Sequence, residues 1–186
     1  MFGREVSLIK HLDPGLEIYF AATYPPRNCG IATFTYDLAH AVAAEIGNHG
    51  FHIVAMNNPI QDRGYPEEVA FEIAQNQIND YRLAADYINV SREGVVSLQH
   101  EFGIFGGPEG TYINHFLGNL KRPIVTTLHT VLKEPDEGYR KALSDVAELS
   151  HALVVMGHQS ETILREIYHV PEHKIRFIHH GVPDVA

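Results

Sequence analysis

The sequence predicts an α/β domain: a doubly wound, mostly parallel sheet of about seven strands with helices between them. Short apolar runs rich in strand formers alternate, along the chain, with stretches whose apolar residues recur at helical spacing. Polar and glycine-bearing loops follow the strands. No internal repeat, low-complexity tract or linker interrupts that alternation.

The first strand is Ile18–Thr23, an apolar run. The loop Tyr24–Gly30 contains two prolines and ends on a glycine, a residue free to take backbone angles that others avoid. Ile31, Phe34, Leu38, Ala41 or Val42, and Ile46 then recur at helical spacing and predict a helix with those residues inward. Its free N–H groups point at the loop and form a ready anion site, with Arg27 as a second donor. His52–Asn57 reads as the second strand. After the polar loop Asn58–Glu68, Val69–Ile73 reads as a third. Eleven loop residues without a helical pattern hardly hold a helical crossover, so this third strand is expected at the sheet edge or as a hairpin-like excursion. Ile78, Tyr81, Ala85 and Ile88 mark a helix, Val95–Gln99 a strand, and Ile113, Phe116, Leu117 and Leu120 another helix. Pro123–Leu128, Ala152–Met156 and Lys174–Ile178 complete the strands, with helices near Gly138–Leu149 and Gln159–Tyr168 between them.

At 186 residues the chain makes one substantial domain and hardly two. The single cysteine excludes an internal disulfide framework and fits a reducing compartment. A formal net charge of −9 argues against a nucleic-acid partner, which would call for a basic face. No run of about 18 apolar residues is present, and the apolar residues of the first ten positions are interrupted by charges, unlike a signal-peptide core. Residues 1–17 read as a weak amphipathic lead-in, 18–180 as the domain, and 181–186 as the start of a linker, because Gly181 and Pro183 follow the last strand. The chain is thus expected to be one domain of a longer protein.

In an open parallel sheet, ligands bind beyond the carboxyl ends of the strands. Arg27, Asn28 and Gly30 follow the first strand. His100, Glu101 and Gly103, then Gly106 and Gly107, follow the fourth. His129 and Thr130, then Lys133 and Glu134, follow the fifth; Gly157 and His158 the sixth; His179, His180 and Gly181 the last. Five such loops on one edge predict a site. His129 stands out, since an imidazole between a buried strand and a threonine loop can exchange protons near neutral pH. His158 is expected to be exposed on a first helical turn, and His179 half-buried. Thirteen histidines are many for this length, but none has metal-ligand spacing such as His-Glu-x-x-His, so no metal is expected.

These residues match a family pattern. Thr23-Tyr-Pro-Pro-Arg-Asn-Cys-Gly-Ile-Ala-Thr-Phe34, Leu98-Gln-His-Glu-Phe-Gly103, Thr127-Leu-His-Thr130, and Tyr168-x-Val-Pro-x-x-Lys-Ile175 ending in His-Gly-Val182 are similar, in order, to signatures of the family 4 retaining glycosyltransferases. The chain resembles their Rossmann-like N-terminal domain, one half of the two-domain GT-B fold, in the bacterial mannosyltransferase-like branch. The resemblance implies transfer of a sugar, mannose in that branch, from a nucleotide diphosphate donor to an acceptor hydroxyl with retention and without an obligatory metal. It implies a glycan or lipid-linked acceptor, no cofactor besides the donor substrate, and a C-terminal donor-binding domain of the same parent protein as partner. It places Gly30 against the donor phosphate or sugar, His129 near the transferred sugar, and His100 and Glu101 on the acceptor side, with Glu101 a candidate acceptor base. His129 and Glu101 are accordingly the expected catalytic residues. Arg27, Asn28, Gly30, His100, Gly103, Gly106, Gly107, Thr130, His180 and Gly181 are the expected substrate-binding ones. The isolated chain is expected to turn over little or nothing, and its expected location is the cytoplasm. Peripheral membrane placement stays open, because some members act on lipid-linked acceptors, although nothing here resembles a basic amphipathic helix. Two rival readings are a stand-alone flavodoxin-like module binding a sugar or phosphate, and a hydrolase with His100, Glu101 and His129 around a metal.

Overall fold

The computed structural model describes residues 16–46, 50–58, 64–91 and 93–182. The expected lead-in up to residue 15 and the linker residues 183–186 lie outside that range. The described strands are β1 (Glu17–Ala22), β2 (Phe51–Asn57), β3 (Val69–Ala74), β4 (Gly94–His100), β5 (Ile124–Leu128), β6 (Ala152–Val155) and β7 (Ile175–Phe177). They form one seven-stranded sheet in the order β3-β2-β1-β4-β5-β6-β7, and every neighbouring pair is parallel. The fold is an α/β, Rossmann-like one, as the alternating pattern predicts. The third strand is at the edge as expected, but it runs parallel to β2, with a register shift between Ile53 and Val54. A hairpin excursion would have made the pair antiparallel, so that half of the expectation is corrected.

The helices are α1 (Gly30–Ile46), α2 (Ile78–Asn89), α3 (Ile113–Leu117), α4 (Glu137–Leu149) and α5 (His158–Glu166). Sheet order dictates their faces. The chain moves one way across the sheet from β1 to β3 and the other way from β4 to β7, so right-handed crossovers put the two helix sets on opposite faces. Helices α2 to α4 pack with Val54, Met56, Val96, Leu98 and Ile124. Helices α4 and α5 extend that layer over Leu128, Leu153, Val155 and Ile175. The opposite face carries α1 against Phe20, Ile53 and Ala55.

The inward face of α1 differs from the sequence expectation. Ala32, Thr35, Ala39 and Ala43 are its buried residues. Their spacing of three, four and four residues makes one helical stripe of small side chains, which lets the helix lie close on the sheet. Phe34, Leu38 and Val42 sit on the helix flank. There they help line a groove of about 1150 Å³ that continues over Val95, Ser97, Val125, Thr127, Val154 and Met156 of the same sheet face.

Helix ends are closed by side chains. The Asp136 carboxylate accepts the Tyr139 N–H at 3.0 Å and starts α4. Lys174 Nζ donates to the carbonyls of Ala147, Glu148 and Ser150 at its other end. The strand order reverses between β1 and β4, and a crevice opens above their carboxyl ends.

Candidate functional site

One wall of the crevice is the loop from β1 to α1. Tyr24 is fully buried, with its hydroxyl donating to Glu68 Oε1 at 3.1 Å, and the Pro25–Pro26 peptide is cis. Cys29 precedes the helix in the capping position. Its sulfur accepts the Ala32 N–H at 3.4 Å and lies 3.2 Å from Thr23 Oγ1. The Gly30 and Ile31 N–H groups have no hydrogen-bond partner among the described residues, and they point out of the start of a 17-residue helix. Gly30 is not in the left-handed backbone region, so the turn does not require it, contrary to the sequence expectation. A Cβ built there meets nothing within 4 Å. The protein itself therefore gives no steric reason for a glycine at 30, and the space beside it is open. Asn28 is exposed next to it. Arg27 turns the other way: its Nη1 donates to the Met56 carbonyl at the end of β2, at 3.2 Å.

The facing wall comes from β4 and β5. His129 Nε2 is 3.1 Å from Gln99 Oε1, while Gln99 Nε2 donates to Ser97 Oγ at 3.1 Å. With the Gln99 amide so oriented, its oxygen accepts from His129 Nε2–H, and His129 Nδ1 keeps its lone pair for a ligand. The backbone N–H of His129 donates to the His100 carbonyl at 3.0 Å. Glu101 is engaged at both oxygens: Oε1 accepts the Phe102 N–H at 3.1 Å and Oε2 accepts the Thr130 hydroxyl at 2.6 Å. Glu101 and Thr130 thus tie the loop after β4 to the loop after β5. Phe34, one turn into α1, reaches across to His129 with ring centroids 4.8 Å apart and planes at 87°. It also meets His180, at 5.3 Å and 67°. Gly30, Phe34, Thr127, His180 and Gly181 share the mouth of the groove.

Several expected site residues sit elsewhere. His100 is 1% exposed, packed against Phe102 and Phe105 on the α2 side of the sheet, and its Nδ1 has no partner. It reaches a ligand only through its neighbours. Gly106 is buried: its N–H donates to Tyr81 Oη at 3.0 Å, and a Cβ there would lie 2.0 Å from the Gln75 carbonyl oxygen. Gly107 has φ +80 beside the Tyr112 ring. Both glycines serve the packing of their own loop. Gly103 is exposed. His158 is exposed at the first turn of α5, as expected, stacked on Phe177 at 3.8 Å. His179 is exposed rather than half-buried.

Sequence reasoning missed Gln99 and Phe34. Gln99 is a fully buried polar residue one position before the end of β4, a placement that asks for a partner. Phe34 was assigned to the core stripe, although the small-residue stripe at 32, 35, 39 and 43 marks the sheet-facing side.

Burial sets the electrostatics. Desolvation pushes His100 down to about 3, with the neighbouring His129 adding to the effect. Desolvation, then the charge of His180, brings His129 down to about 4. Both imidazoles are neutral at pH 7. An unfolded chain binds protons at these histidines below about 6.5 while the folded one refuses them. Stability is therefore fully present above that pH and is lost as pH falls through the window from 6.5 toward 3. For His100 alone the slope is roughly 1 kcal/mol per pH unit. Denaturant midpoints measured from pH 7 to 4 are expected to show this decline, and it should shrink in a His100→Leu variant. An equal slope in the two proteins would contradict it.

Among the described residues, no group of three or more His, Cys, Asp or Glu side chains could hold a metal ion. Among them, too, no helix is long and apolar enough to cross a membrane.

No protein-family model matches the sequence, and no curated protein matches it. Among solved structures the chain is similar to a glycosyltransferase from Rickettsia africae ESF-5, with a TM-score of 0.60 over 89% of this chain. The chain has a glycosyltransferase-like fold. At 18% identity the likeness is one of fold, and the chain spans 43% of that protein's length. In this glycosyltransferase-like fold the crevice residues come from β1, β4, β5 and the segment after β7.

Proposed function

We propose that this chain is the acceptor-side domain of a retaining glycosyltransferase of family 4. It moves a sugar, mannose by the branch it resembles, from a nucleotide diphosphate sugar to an acceptor hydroxyl on a glycan or lipid. The observation that carries the reading is the open space at Gly30, with two unpartnered N–H groups at the start of α1, one helical turn from Phe34 and its contact with His129. Charge builds on the departing diphosphate as the sugar becomes cation-like. The Gly30 and Ile31 amides and the positive end of α1 stabilise that charge. Neutral His129 accepts a hydrogen bond from a sugar hydroxyl at Nδ1, and Gln99 holds its ring from the other nitrogen. Glu101 keeps Thr130 and the two loops in register on the acceptor side, and its carboxylate is the candidate acceptor base. Retention follows from same-face attack, with no carboxylate nucleophile assigned. A C-terminal domain of the parent protein supplies most of the donor site, and the isolated chain turns over little. The greater length of the Rickettsia africae protein is consistent with such a partner domain. No nucleic acid takes part, and the site is cytoplasmic in this reading.

The test is Gly30→Ala. The added methyl meets nothing in the protein, so stability is expected to stay within about 0.5 kcal/mol or rise slightly. Affinity for a nucleotide diphosphate, measured by calorimetry with the guanosine and uridine forms, is expected to fall by about tenfold. The same loss is expected in transfer by the enzyme that contains this domain. Unchanged affinity and transfer would remove the α1 terminus from the site. Clear steady-state transfer by residues 1–186 alone would remove the need for a second domain.

A further inference from the structure

Three rings stand in a row at the mouth of the groove, and each belongs to a different part of the chain. His129 follows β5, Phe34 lies on α1, and His180 is on the exposed segment after β7. Phe34 contacts both of the others: it is perpendicular to His129 at 4.8 Å and tilted by 67° to His180 at 5.3 Å. His129 has one hydrogen-bonded anchor, Gln99 at Nε2. A single hydrogen bond leaves an imidazole free to swing about that contact, whereas a ring packed perpendicular against it fixes the plane.

We propose that Phe34 is a positioning residue: its ring clamps the His129 imidazole between α1 and Gln99, turning Nδ1 to the cleft and keeping the proton on Nε2. The importance of that pose for sugar transfer rests on the transferase reading above; the clamp itself does not. Three consequences follow. Phe34 excludes water from the His129 ring, which matches desolvation as the main cause of its lowered pKa. It also holds His180, the second cause of that lowered pKa, against the same ring. Finally, it links the catalytic histidine to the segment 178–182, so a shift of that segment is felt at His129 through one ring.

The charged and titratable groups around the clamp are few. His180 touches it from the segment after β7, Asp37 and His40 line the same groove from α1, and His100, on the opposite face of β4, is linked to the His129 ring only through charge. Glu101 lies beyond, bonded to Thr130. His180 carries its own bond from Nδ1 to the Gly181 carbonyl, at 2.6 Å.

The experiment is nitrogen-15 NMR of the histidine rings in the free chain, titrated from pH 8 to 3.5, for the wild type and for Phe34→Ala, Phe34→Leu and Phe34→Tyr. In the wild type, His129 is expected to stay neutral to below pH 5, with its proton on Nε2. In Phe34→Ala the midpoint of His129 is expected to rise by about one unit or more toward the ordinary imidazole value. The ring nitrogens should then report a mixture of tautomers. Phe34→Leu keeps apolar volume without a ring, so it is expected to shift His129 less but still mix its tautomers. Phe34→Tyr should restore the wild-type spectrum. The leucine variant also serves if the alanine variant does not fold. A His129 midpoint and tautomer unchanged in both Phe34→Ala and Phe34→Leu overturn the proposal. Because these readouts need no substrate, that result leaves the transferase reading standing. Conversely, full transfer by a His129→Ala enzyme would sink the reading and leave the clamp in place.

Discussion

Replacing His129 by alanine is expected, on the transferase reading proposed above, to lower sugar transfer at least about 100-fold in the parent enzyme. The ring follows β5 at the crevice, bonded to Gln99 through Nε2 and packed against Phe34. Its neutral state at working pH suits it to accept a hydroxyl proton in a hydrogen bond, not to carry a charge. The substitution leaves the backbone bond from residue 129 to the His100 carbonyl intact. It does strand Gln99 Oε1 in a fully buried position, at a cost of about 1–3 kcal/mol. A domain of this size tolerates that loss. Rates should therefore collapse while the melting transition stays cooperative, and steady-state kinetics alongside calorimetry check both. Near wild-type rates would take His129 out of the mechanism.

Alanine at Gly106 is expected to destabilise the fold by roughly 2–4 kcal/mol. The new methyl would lie 2.0 Å from the carbonyl oxygen of Gln75 and 2.7 Å from the Tyr112 ring. The ring could rotate away; the Gln75 backbone could not. Tyr81 Oη donates to the Gln75 carbonyl at 2.8 Å and accepts the Gly106 N–H at 3.0 Å, while Gln75 Nε2 reaches the carbonyls of Gly103 and Phe105. The edge strand and the loop after β4 thus lock to one another at Gly106. Urea unfolding would show a lowered midpoint with an unchanged slope if the native state is strained but intact. Gly103→Ala is the control, because a Cβ at that position meets nothing within 4 Å. Equal stability of the two variants would mean that the loop gives way more easily than its hydrogen bonds imply.

The two glycines at 103 and 106 show how far local pattern reaches. Both follow a strand, both are preceded by a phenylalanine, and the sequence pattern places both at the ligand. Nothing in their immediate neighbours distinguishes the exposed one from the one pressed against Gln75, a residue about thirty positions away. His100 and Gln99 make the same point within a single strand. Alternate residues of a strand point to opposite faces, so of these neighbours one must look to the α1 side and the other to the α2 side. The alternation is visible in the sequence; which phase faces the crevice is not. That phase makes Gln99 the partner of His129 and leaves His100 among Phe102 and Phe105.

Helical and strand periodicities arise from sterics within a few residues, and they suffice to place all seven described strands, the five described α-helices and the loops at the strand ends. The parallel direction of β3, the face of α1 that meets the sheet, and the meeting of Phe34 with His129 and His180 depend on strand order and on how closely helix and sheet approach. Those are properties of residues far apart in the chain. They are decided by packing in three dimensions, where a stripe of small residues faces α1 to the sheet and so puts an aromatic ring against the histidine at the crevice.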